Sequence, residues 1–275
     1  MKLPREEYIE QAYLFRSLHQ RLDSNEPVQI LLAHAKEEIL TTTKLPMAID
    51  FILAELNHCG SIATAMQRMS HYFTPFQTFL IAECERERGR MDMFMATRLL
   101  ESEARYRASD ASIEGLFFFQ FEVLCRNRIS YDKGLEAMAK DVFYDDIWRK
   151  WLLGVRNKIG IVDLSDLIYV HSQYYLQKIT QLDESLPPDH PILFDEKVGR
   201  IALANRRKEP IYFFAALQRH LDYPPVPRVE RRSEIDNPIP RLIKTVERLE
   251  MRVKLLEDEQ RQSGIDLAQF MKKPG

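Results

Sequence analysis

Glycine is scarce: the 275 residues hold nine. No two are spaced to form a GxGxxG turn or a Walker loop, which weighs against the common dinucleotide and P-loop folds. Cysteine is scarcer still, with Cys59, Cys84 and Cys125 widely separated. Without a CxxC pair a zinc site or a redox dithiol is not expected, and scattered thiols in odd number suit a reducing, cytoplasmic setting. Long apolar runs are missing. The most apolar stretch, Leu116–Cys125, is interrupted by Glu122 and is too short for about 30 Å of hydrocarbon. The first residues, Met1-Lys2-Leu3-Pro4-Arg5-Glu6-Glu7, turn acidic at once and contain no apolar segment of the secretory type. Charge of one sign is also missing. Lys and Arg number 39 against 41 Asp and Glu, a net −2, so the sequence offers neither the basic excess that nucleic acid requires nor an attraction to anionic membranes. Alternating Val/Ile/Thr runs are few, so little or no sheet is expected.

Apolar residues make up 45% of the chain, enough to bury a normal core. Helical periodicity dominates, as in the Ile49, Ile52, Leu53 and Leu56 stripe. Prolines punctuate it. Pro4, Pro27, Pro46 and Pro75 each precede a helical pattern, where a missing N–H costs nothing. Thr74-Pro75-Phe76-Gln77 reads as a capping box. Ser130 and Asp163 are further N-cap candidates. Helices are expected near 61–71, 75–86, 90–107, 111–128, 131–141, 145–158, 163–182, 192–206 and 209–221. The fold class is therefore all-α. Its organisation reads as one helical unit over 1–110 and a second, with appended helices, over 111–222. A Pro-rich charged linker follows over 223–237, then a coiled-coil helix over 238–262 and a tail over 263–275.

The coiled coil is read from strict heptads. Ile239, Val246 and Val253 occupy position a, and Leu242, Leu249 and Leu256 occupy position d. Branched residues at a with Leu at d favour a parallel two-stranded coil. In that pair Arg252 at g reaches Glu257 at e of the other strand. The expected partner is thus a second copy of the chain, in a parallel homodimer. The alternative is a helix folded back on its own body, for which Met251 and Leu255 outside the seam would serve.

Candidates for chemistry are few. Glu55 and His58 form an ExxH, the spacing of di-iron helix bundles, but no second ExxH faces it. Asp141, Asp145 and Asp146 cluster near Trp148 and Trp151. Because they lie between two helices, capping and dipole compensation explain them better than acid–base work. Cys84 sits between Glu83 and Glu85, which disfavour the thiolate. The sequence therefore assigns no catalytic residue, no metal ligand and no cofactor. A candidate pocket is formed by Trp151, His171 and Tyr174, for which a core or interface stripe is the alternative.

Two parts of the body share an order of elements. In the first, a helix ends near Leu22, Asn25-Glu26-Pro27 turns, and helices lead to Gly60 and Ser61-Ile62-Ala63-Thr64-Ala65-Met66. In the second, Asn127-Arg128-Ile129-Ser130 turns, and helices lead to Gly160 and Val162-Asp163-Leu164-Ser165-Asp166-Leu167. This order resembles the cytoplasmic F domain of type II secretion and type IV pilus platform proteins. Gly60, Ile62, Ala65 and Met66 resemble the family's Gly, Leu and Ala-Leu; Phe73-Thr74-Pro75 its Phe-Pro; and Gly89-Arg90-Met91-Asp92 its Gly-x-Leu-Asp. The chain departs from the pattern at Glu85 and Arg86, which replace Gly-Glu, at Thr74, and in lacking membrane helices. The likeness covers residues 13–107 and, more loosely, 117–180. It implies a helical docking module without catalysis that contacts an assembly ATPase. The sequence thus points first to a scaffold or adaptor, and second to a helical enzyme or sensor with a pocket near His171, Tyr174 and Trp151.

Overall fold

Helix starts are set wherever the sequence supplies a short polar side chain for the free backbone N–H groups. In the computed structural model, which describes residues 2–22, 26–86, 91–182 and 190–227, Thr74 and Gln77 form the reciprocal capping box. The Gln77 amide donates to Thr74 Oγ1 (3.2 Å), and the Thr74 amide donates to Gln77 Oε1 (3.0 Å). Ser61, Asp92, Ser112, Ser130, Asp145, Asp163 and Asp195 cap other helices in the simpler way.

Thirteen helices result, filling 72% of the described residues, with no strand among them. They are α1 (Arg5–Arg21), α2 (Val28–Glu38), α3 (Leu45–Cys59), α4 (Ile62–Arg68), α5 (Pro75–Glu85), α6 (Met93–Ala108) and α7 (Ile113–Asn127). The rest are α8 (Tyr131–Ala139), α9 (Asp146–Lys158), α10 (Leu164–Val170), α11 (Gln173–Leu182), α12 (Glu196–Ala204) and α13 (Pro210–Leu221). None is long and apolar enough to cross a membrane. The order helix, turn, helix, helix, Gly, short helix occurs twice, as α1–α4 around Gly60 and as α7–α10 around Gly160. Both glycines have positive φ, +69° and +87°.

The chain divides into two units, Met1–Val229 and Glu230–Gly275. The heptad residues Ile239, Leu242, Val246, Leu249, Arg252, Val253, Leu256 and Glu257 lie outside the described residues. So do Gly89 and Arg90 of the F-domain-like pattern.

Within Met1–Val229 the two halves share one core. Helix α1 packs along α6, α5 meets α8, α6 meets α7, and α13 covers α7. The apolar face of α1 (Leu14, Phe15, Leu18) joins Ile49 and Ile52 of α3 and Leu99 and Leu100 of α6. Helix α7 is buried nearly all round, and Phe117, Phe118 and Phe121 contact Trp148, Trp151, Phe194, Phe213 and Phe214. Each such ring or branched side chain contributes about 1.5–3 kcal/mol on burial.

Two expectations are corrected. The helix expected over 163–182 is broken at His171 and Ser172. There the Leu193 amide donates to His171 O (2.8 Å) and the Gln173 amide to Phe194 O (2.9 Å). Ser172 Oγ then accepts from the Tyr175 amide and caps α11. Asp141, expected as a cap or dipole partner, is instead fully buried and paired with Arg107.

Candidate functional site

Helix α9 carries two unlike faces. Trp148, Trp151, Leu152 and Val155 are buried. Ile147, Lys150, Trp151, Gly154, Val155 and Lys158 recur every three or four residues and so line one side of the helix. That side forms a wall of a groove of about 450 Å³ closed by Leu167 of α10, His171 and Pro191. None of these nine residues is acidic.

Trp151 joins the groove to the core. Its ring lies 5.1 Å from Phe117, 5.3 Å from Phe194 and 5.8 Å from His171. A floor held this way is pre-organised, so little side-chain ordering is left for binding. His171 is fixed as well. Its Nδ1 is 2.8 Å from Pro191 O. A carbonyl only accepts, so Nδ1 carries the proton and Nε2 is the acceptor. Burial holds the ring below its ordinary pKa, with His190 and Lys158 adding to this. His171 is therefore neutral at pH 7.

Lys150 and Lys158 supply the groove's cationic character, and neither makes an ion pair among the described residues. Ile147, in the wall of the groove, is 53% exposed, and Ile161, just beyond the end of α9, is 84% exposed. Gly154 is set apart from the other interior helix glycines. A Cβ on Gly115, Gly134 or Gly199 would collide with Tyr106, Leu124 or Ser172, whereas one on Gly154 would meet nothing within 4 Å. Glycine in a helix interior costs roughly 0.8–1.0 kcal/mol relative to alanine, and no packing at Gly154 among the described residues offsets that.

The sequence-derived pocket is partly assembled. Trp151 and His171 face the same groove. Tyr174 does not line it and packs instead against Tyr169 and beneath Lys178 and Arg200. Sequence reading singled out Trp151 but missed the rest of the α9 face, because Gly154 and two lysines interrupt an otherwise apolar stripe.

The remaining candidates have structural partners. Glu55 pairs with Arg68, and His58 is exposed. No group of three His, Cys, Asp or Glu side chains converges on a metal position among the described residues. Burial and the neighbouring Asp92, Glu85 and Glu83 push the Cys84 thiol up to about 12. Asp145 caps α9 through the Trp148 amide (2.8 Å), and Asp146 pairs with Arg149. Glu85, one of the departures from the F-domain pattern, accepts the Ile62 and Ala63 amides and Ser61 Oγ at the start of α4.

The fold and site define an all-α helical body with a pre-organised, apolar, cationic-edged groove on its surface. No protein-family model, curated protein or solved structure matches the chain.

Proposed function

We propose that this chain is a non-enzymatic helical adaptor that docks a protein partner in the α9 groove and dimerises through residues 239–260. The observation that carries the docking role is the groove along α9, from the exposed Ile147 past Trp151 and Gly154, backed by the aromatic core. Contiguous exposed apolar surface rimmed by polar residues is the usual mark of a protein interaction site. The dimer is supported by the heptads in the sequence.

The partner class implied by the F-domain resemblance is an assembly ATPase of a secretion or pilus machine. Its support is the twice-repeated element order and the placing of Gly60 at the end of α3, with Ala65 and Met66 buried in α4. Fold likeness alone does not carry function, so the partner must be found by experiment. The tagged full-length chain and its Gly154→Leu variant are purified in parallel from the native cell and the co-purifying proteins quantified. Recovery of a partner with the natural chain and its loss with the variant is expected. A partner set indifferent to the variant overturns the docking role.

A second reading, a small-molecule sensor or enzyme, is favoured by one observation: Trp151 and the neutral His171 share a cavity of ligand size. It requires a ligand whose binding perturbs Trp151 fluorescence.

A further inference from the structure

We infer that the occupant of the α9 groove is an amphipathic helix whose apolar stripe is flanked by two acidic residues about two turns apart. This rests on the adaptor reading and names the chemistry of its partner. Three observations converge on it.

Gly154 comes first. Among the described residues, a Cβ on each other interior helix glycine would press on a neighbouring side chain; Gly154 faces open space in the wall of the groove. A missing side chain at that point lets another backbone approach α9 closely, which a helix laid along the groove would do. Charge comes second. Lys150 and Lys158 are eight residues apart on α9, about 12 Å along the axis. The nearby carboxylates are already engaged, Asp146 by Arg149 and Asp166 by Arg206. Acidic residues at i and i+7 of a partner helix match that separation, with apolar side chains at i+3 and i+4 meeting Trp151 and Val155 between them. Extent comes third. The groove's lining runs along α9 from Ile147 to Lys158, about 16 Å of helix, so an elongated occupant covers what a compact acid would leave in water.

The test uses full-length protein and two fluorescein-labelled helical peptides identical except at two positions. Both carry Leu at i+3 and i+4; one carries Glu at i and i+7, the other Lys. Fluorescence anisotropy is expected to show the Glu peptide binding about tenfold tighter or better, the size of one or two interfacial charge pairs. The Lys150→Glu/Lys158→Glu variant should reverse the order. Gly154→Leu, at a position where an added Cβ meets nothing within 4 Å among the described residues, should abolish binding with the circular dichroism spectrum unchanged. Equal affinity for both peptides, binding that survives Gly154→Leu, or no binding of either overturns the inference. So does dodecanoate binding that Gly154→Leu blocks while both peptides stay silent, which would assign the groove to a small acid. A fall in oligomeric mass on Gly154→Leu would assign it to a second copy and overturn the inference too. Failure of the peptides with a Gly154-dependent partner still recovered from cells removes only this partner chemistry. Loss of both removes the adaptor reading beneath it.

Discussion

Arg107 of α6 donates to Asp141, in the turn after α8, and both side chains are sealed from solvent. The same guanidinium serves Glu103 through Nη2 (2.9 Å) and Nε (3.2 Å). Glu103 also accepts from Gln120 Nε2 (2.8 Å), and Gln120 Oε1 accepts from Tyr144 (2.7 Å). One cation thus stands between two carboxylates where the halves of the body meet. Burial raises the Glu103 carboxyl above its ordinary range and Asp141 adds to this, against the pull of Arg107.

Removing the cation leaves two buried acids unpaired. Arg107→Met is therefore expected to cost about 3–5 kcal/mol, the usual penalty for breaking a buried pair from one side. Urea denaturation measures it. In the double variant Arg107→Met/Asp141→Leu the loss should be smaller than in the single one, because one orphaned charge is gone.

Glu114, at the start of α7, titrates far from its usual place. Burial, with Asp195 as the second cause, pushes its carboxyl from 4.5 up to about 7. A raised folded-state value means that the fold holds this proton more tightly than the unfolded chain does. Its contribution is therefore favourable below about pH 4.5 and is lost as pH rises towards about 7. Glu114→Gln keeps an acceptor for the Asp195 amide without the charge. Its melting temperature relative to the natural protein should climb between those pH values and level off above them. A constant difference across that range would contradict the assignment.

At Gly154 the backbone is helical and the space beyond it open. Gly154→Ala should raise the stability of the free protein by about 0.5–1 kcal/mol. Gly115→Ala, whose Cβ would strike Tyr106, should lower it. Thermal denaturation of the two variants side by side checks the contrast.

Deletion of residues 237–275 is expected to give monomers by light scattering if the heptads Ile239 to Leu256 pair between chains. An unchanged oligomeric mass would place self-association elsewhere.

How far the sequence spoke depends on what each signal encodes. Caps are local chemistry, so the Thr74–Gln77 box and the starts at Ser130 and Asp163 could be read directly. The break at His171–Ser172 is made by the 191–194 segment pairing back on it, a non-local contact that periodicity does not record. Glu103 and Arg107 look like an ordinary exposed i,i+4 pair. Yet they fall on the stripe of Ala96, Leu99, Leu100 and Ala104, and that placement is the signal that they are buried. Asp141 gave no such sign, since its partner lies 34 residues earlier. In the groove, Trp151 stood out by type, but Gly154 acquires meaning only when the emptiness beside it is seen.

The adaptor proposal places a protein partner along α9. Zero-length carbodiimide coupling of carboxylates to amines, on the full-length chain in lysate of its native cell and followed by mass spectrometry, is the direct test. Lys150 and Lys158 are expected to form amide links to one protein, at two of its carboxylates about two helical turns apart, and those links are expected to vanish in Gly154→Leu. Lysines 150 and 158 that stay unlinked while other surface lysines find partners would contradict it.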